Sequence, residues 1–260
     1  SEELGTFSDR EDVNEGIEEG QVTQSSEIAV GDLAIHQIEA SRVEGALDAR
    51  ANEDVTTEFE TINNSVIELQ IEEASPGANQ DPAQIDLSYN DNVSVVADGP
   101  NDTYFVVVDT SDVQFRAPRN NEDLPNDDDT ALETNFTILS DDESTVSDFT
   151  PEDLDDDEDQ SNFVEFNANE PEVTVDTPFN VSQASGQTIS GTTNIAPGTE
   201  LTLRVRSQSG TSPSFLKTAS PVVQPDDSFS ATFDFSEQNV GDEYDIQVDS
   251  QILTDGPTEE

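Results

Sequence analysis

His36 is the only histidine in this 260-residue chain, and there is no cysteine. Acid–base and nucleophilic chemistry therefore have little to draw on. One histidine between Ile35 and Ile38 in an alternating apolar segment reads as a packing or hydrogen-bonding residue, because a catalytic imidazole needs a nucleophile and an orienting carboxylate around it. The 60 Asp and Glu create carboxylate pairs everywhere, so a pair suited to glycoside hydrolysis carries no information. No phosphate-binding loop or dinucleotide fingerprint occurs. The residue types point to a protein that is not an enzyme and holds no organic cofactor.

Two other chemistries remain open. Hard cations take carboxylate oxygens, and the acidic tracts at Asp127, Asp128 and Asp129 and at Asp155, Asp156 and Asp157 offer ligands for Ca²⁺, Mg²⁺ or Na⁺. Neither tract has the spacing of an EF-hand or a glycine-rich calcium repeat, and a diffuse cation atmosphere is the competing reading. Five asparagines, Asn63, Asn92, Asn101, Asn135 and Asn180, each begin an Asn-x-Ser/Thr sequon and are candidate N-glycosylation sites. They are expected at strand ends and loops.

The balance of 60 acids against 8 Lys and Arg gives a formal net charge of −52. Such a charge opposes compaction in dilute buffer. The Debye length shrinks to about 3 Å at 1 M salt, which removes most of that repulsion. The alternative, disorder, is disfavoured because the acids are interleaved with alternating apolar segments and 13 Phe supply core aromatics. Lys217 is the sole lysine. A surface in which acids replace long alkyl-stemmed cations suits brine, and without a basic patch it excludes nucleic acid. No methionine is present, so the chain is expected to be a processed product from which a signal peptide was removed, located outside the cell or on its surface. No apolar run is long enough for a membrane span.

The elements that would position these residues read as all-β: two β-sandwich domains, the C-terminal one immunoglobulin-like, behind an extended N-terminal arm. Residues 1–20 are polar and acidic with Leu4 and Phe7 their large apolar residues near the start, and predict an arm that donates a strand to a neighbour. Residues 21–147 form an N-terminal β-domain whose most apolar run, Thr103–Asp109, suits a central strand. A short helix or loop is expected around residues 43–59. An acidic linker spans 148–160, a run of about seven strands spans 161–255, and 256–260 is a tail. In that second domain Leu201, Leu203 and Val205 alternate with Thr202, Arg204 and Arg206, one face for the core and one for solvent.

The stretches GQTISGTTNIAPGTELTLRVRS at 186–207, SPSFLKT at 212–218 and SFSATFDFSEQNVGDEYDIQV at 228–248 resemble the haloarchaeal BGTF surface-domain family. AVGDLAIHQIEASRVEGAL at 29–47 and VVADGPNDTYFVVVDTSD at 95–112 look like the same family's N-terminal half. The resemblance implies an exported surface protein of a halophile and carries over no catalytic residue. Composition and kinship together predict a structural subunit of an extracellular assembly, a filament or pilus-like structure or a surface layer. Its partner would be itself, through strand addition in high salt. The competing expectation is a monomeric surface adhesin or glycan-binding module, for which only Tyr89, Tyr104 and Tyr244, and no Trp, could line a sugar site.

Overall fold

A computed structural model describes residues 4–41, 43–48, 54–89, 91–111, 113–116, 122–123, 130–139, 160–178, 180–253 and 258–259. Their contacts divide the chain into two units, one of residues 1–15 and 25–169, the other of 16–24 and 170–260. Strands are the main regular structure of both, with helices in the first.

The opening segment is helical where an extended arm was expected. A 3-10 turn at Leu4–Thr6 leads to helix α1 (Arg10–Glu18). Its start is stitched by its own polar residues: Asp9 Oδ1 accepts from the backbone N–H of Glu11 (2.7 Å) and Asp12 (3.1 Å), and Asp12 Oδ2 accepts from the Ser8 hydroxyl (2.7 Å) and N–H (3.0 Å). Reciprocal capping of this kind satisfies the orphan donors of the first turn. Leu4 and Phe7 are each 9% exposed and Val13 is fully buried, so the apolar residues of the segment fill their own chain's core.

In the first unit β1 (Glu27–Ala29) and β2 (Leu33–Glu39) precede two short helices, α2 (Val43–Asp48) and α3 (Val55–Ile62). Asp54 caps α3 through its carboxylate, which accepts from Thr57 N–H at 3.1 Å and from the Thr57 hydroxyl at 2.8 Å. There follow β3 (Ile67–Glu73), β4 (Val93–Asp98), β5 (Thr103–Asp109), the short pair β6 (Gln114–Phe115) and β7 (Glu122–Asp123), β8 (Thr130–Ile138) and β9 (Gln160–Asn169). One sheet runs β1-β9-β8-β3 and a second β2-β5-β4. Every residue of β5 is buried, as its apolar composition predicts for the middle strand of three. The core between them centres on Phe59, Ile62, Ile67, Ile71, Tyr104 and Leu132.

The strand at Gln160–Asn169 was expected to open the second domain. Its pairing puts it in the first: it is antiparallel to β8 from Thr130↔Ala168 to Ile138↔Gln160 and parallel to β1 over Glu27↔Asn167. Sequence alternation identifies a strand but not its neighbour, which is why the boundary moves to about residue 170. Of the acidic linker, all but Gln160 lies outside the described residues.

The second unit holds β10 (Val173–Val175), β11 (Gln187–Thr193), β12 (Thr202–Ser207), β13 (Leu216–Ala219), β14 (Ser228–Phe233), β15 (Tyr244–Asp249) and β16 (Thr258–Glu259). They form two antiparallel sheets, β10-β11-β14 and β13-β12-β15-β16. Leu203 and Val205 are fully buried while Arg204 and Arg206 are exposed, so the alternation read from the sequence places one face inward. Phe229, Phe233 and Phe235 fill the core with Ile195, Leu201, Ile246 and Val248. Gly191 is required by crowding: a Cβ there would run into the Thr174 carbonyl and approach the Phe229 ring to 2.6 Å.

Candidate sites at the sequon asparagines and the single histidine

The five sequon asparagines meet five different environments. Asn92 is 5% exposed. Its amide donates to the Asp86 carbonyl (3.1 Å) and its Oδ1 accepts from Ser88 N–H (2.8 Å), so it builds the turn before β4. Asn63 closes α3; its Oδ1 accepts from Leu69 N–H at 2.9 Å and its amide donates to the Tyr89 hydroxyl at 3.2 Å. Both side chains have their polar ends committed. Asn101 is exposed at the end of a 3-10 turn, Gly99–Asn101, and donates to Asp98 Oδ2 at 2.8 Å. That bond, with the Arg10 guanidinium at 3.0 Å, holds the Asp98 carboxyl below its ordinary range.

Asn135 and Asn180 differ. Asn180 is exposed in the loop between β10 and β11, and Asn135 is half-buried in the middle of β8. Neither side chain makes a hydrogen bond among the described residues. Of the five positions, then, one is interior and one sits within a strand, where all were expected at strand ends and loops. Sequon spacing reads a local enzyme signal and is blind to burial, which is a tertiary property.

His36 sits on β2 with its ring 5.4 Å from that of Phe166, tilted at 60°. Nδ1 lies 3.4 Å from the Thr134 hydroxyl, and Nε2 is enclosed without a hydrogen-bond partner among the described residues. Burial disfavours the imidazolium and pushes the pKa down to about 4. The ring is therefore neutral at ordinary pH, oriented by a hydroxyl and an aromatic edge. Such a setting suits packing between sheets.

A polar cavity of about 270 Å³ opens beside α3 and β3, lined by Asn63, Gln70, Gln84, Tyr89 and Arg116 among others. Burial raises the Tyr89 hydroxyl pKa above its usual value, with Glu60 adding to the effect. Arg116 at the rim pairs with Asp86 at 2.6 Å. The lining offers hydrogen-bonding amides, the Tyr89 hydroxyl, the Glu60 carboxylate and one guanidinium. Sequence reading singled out neither Arg116 nor this grouping, because its members come from segments up to 56 residues apart.

No group of three or more His, Asp or Glu side chains among the described residues could hold a metal ion. Asp127, Asp128, Asp129, Asp155, Asp156 and Asp157 lie outside the described residues. Among those described, no helix is long and apolar enough to cross a membrane.

Fold and charge define a class: an all-β, acid-coated protein suited to brine. Comparison with known proteins narrows it. The chain is 37% identical over 256 residues, 96% of its length, to the cell surface glycoprotein of Haloferax gibbonsii. It is 32% identical over 249 and 253 residues, 87% of its length in each case, to cell surface glycoproteins 2 and 1 of Haloarcula hispanica. It spans only about a quarter of these relatives, 28% of the first and 25% of the other two. No protein-family model matches it. The chain belongs to a haloarchaeal family of cell-surface-glycoprotein-like proteins, as its motifs led one to expect, and its place is the cell surface.

Proposed function

We propose that this chain is a structural part of an extracellular coat, a surface layer or filament, in which copies associate by pairing of sheet edges in concentrated salt. The observation that carries the reading is homology along 96% of the chain to a surface glycoprotein, in a two-unit β-architecture with a charge of −52. The relatives' names are structural and not enzymatic, which supports a non-catalytic role. In the second unit, a three-stranded sheet β10-β11-β14 beside β13-β12-β15-β16 supports an immunoglobulin-like sandwich, since that fold divides its strands in a comparable way.

The edges differ in their readiness to pair. β10 has three residues and β13 four, and β13 carries Lys217, the chain's sole lysine, whose ammonium sits 5.7 and 5.4 Å from the Phe215 and Phe235 rings. Short edges and edge lysines discourage strand addition. β2 and β3, each seven residues long at the end of its sheet, are longer edges than these and better candidates for pairing. Pairing through Leu4 and Phe7 would require both to leave the core they occupy.

Electron microscopy and size-exclusion chromatography of the protein in near-saturating salt test the reading. Ordered arrays or filaments, and species well above 28.2 kDa, are expected. A solitary species of that mass under the same conditions overturns it in favour of a monomeric module.

A further inference from the structure

We infer that Asn135 carries an N-linked glycan whose first sugar packs against the exposed ring of Phe163; this rests on the surface-glycoprotein reading above. Phe163 is 63% exposed on β9, an uncommon placement for a phenylalanine in so acidic a chain. Its partner across the β8–β9 ladder is Asn135. Residues directly opposite one another project from the same face, with Cβ atoms roughly 4.5–5.5 Å apart.

The rest of the sequon lies on that face too. Thr137 follows Asn135 by two residues, which in a strand returns to the same side, and its own partner is Ser161. The two rungs thus present an amide, two hydroxyls and an aromatic ring, with Gln70 of β3 opposite Asn135 on the other flank. These four residues are uncharged; carboxylates border them, at Glu68 opposite Thr137 on β3 and at the next rung, Glu133 opposite Glu165. The chemistry of the four is that of a sugar platform: a ring to receive the C–H face of a pyranose and hydroxyls to bond its rim. The Asn135 side chain makes no hydrogen bond among the described residues that attachment would have to break. At Asn63 and Asn92 two such bonds stand in the way.

Attachment needs an outside donor, a glycosyl phosphate, and a transferase. Nδ2 of Asn135 attacks the anomeric carbon and a C–N bond forms. The anomeric C–O bond breaks, its electron pair leaves with the phosphate, and one amide proton passes to a base.

The test uses the protein expressed in a glycosylating halophile and kept in growth salt. Glycopeptide mass spectrometry reads occupancy at each sequon. Thermal midpoints are then compared for the native protein, Asn135→Gln, Phe163→Ala and the double variant, with Phe163→Tyr as the conservative control. Because Phe163 is exposed, Phe163→Ala should fold. Expected are an occupied Asn135, a midpoint lowered by several degrees in Asn135→Gln, and no further effect of that change once Phe163→Ala is present. Phe163→Tyr should keep the coupling. Upfield ring-current shifts of the first sugar's protons should vanish in Phe163→Ala alone. An occupied Asn135 with additive midpoints and unmoved sugar protons overturns the packing. An empty Asn135 beside other occupied sequons overturns the site. A chain with every sequon empty overturns this inference and leaves the coat reading to its own test by microscopy and chromatography.

Discussion

At the scale of single residues, burial of His36 has a measurable consequence. Its pKa of about 4 in the folded protein lies below the ordinary 6.5, so between those values the unfolded chain binds the extra proton. Stability from the neutral ring is therefore complete above about pH 6.5 and falls as pH drops towards 4. At pH 5 the loss amounts to about 2 kcal/mol for shifts of this size. Denaturant unfolding in high salt at pH 7 and pH 5 should show a smaller difference for His36→Leu than for the native protein; equal differences would mean that the ring is solvated. Asp54 gives a second residue-scale case. Its carboxyl is held below the ordinary range by Thr57, and losing the cap in Asp54→Ala should cost about 1 kcal/mol, read as a lowered unfolding midpoint. The Asp54 cap had a local signal, an Asp just ahead of a helical run, whereas the His36 shift had none. A lone histidine could be assigned to a strand, but its enclosure by Phe166 and Thr134, about 100 to 130 positions away, could not.

Among the elements, the N-terminal segment is the informative one. If Leu4 served only a neighbouring subunit, Leu4→Ala would leave the isolated chain's stability unchanged. Its burial in its own core predicts a loss of about 2–3 kcal/mol in the monomer, measurable by denaturant titration under non-assembling conditions. The capping pattern Ser8-Asp9-Arg10-Glu11-Asp12 was the available signal for a helix, and it was masked by the reading of dense acid as loose chain. In the second unit, Leu203→Ala should cost 2–5 kcal/mol by opening a cavity between the sheets, with a matching fall in midpoint. There the strands were readable because a clean apolar–polar alternation has only one way to face a core.

For the whole molecule, charge governs. The ion pairs among the described residues, Arg10–Asp98, Arg116–Asp86 and Arg204–Asp249, engage three cations against a net −52. Exposed pairs of this kind each contribute at most about 1 kcal/mol, so they cannot hold the carboxylates together. Screening must. Transfer from about 3 M to about 0.1 M salt lengthens the Debye length severalfold, and the protein should lose its folded circular-dichroism signal or drop sharply in thermal midpoint. A midpoint indifferent to salt would remove the physical basis for association between copies.

Composition and alternation alone determined that this is an all-β, acid-coated protein suited to brine, because charge balance and strand period are properties of the chain read in order; its surface location came from kinship. Tertiary structure decided the rest. It gave Gln160–Asn169 to the first sheet, buried Leu4 and Phe7 in the chain's own core and set Asn135 across from Phe163. Each of these is a meeting of residues far apart in the chain. Such meetings depend on which strand edge pairs with which, and that choice is made by the packed core, not by any local run of sequence.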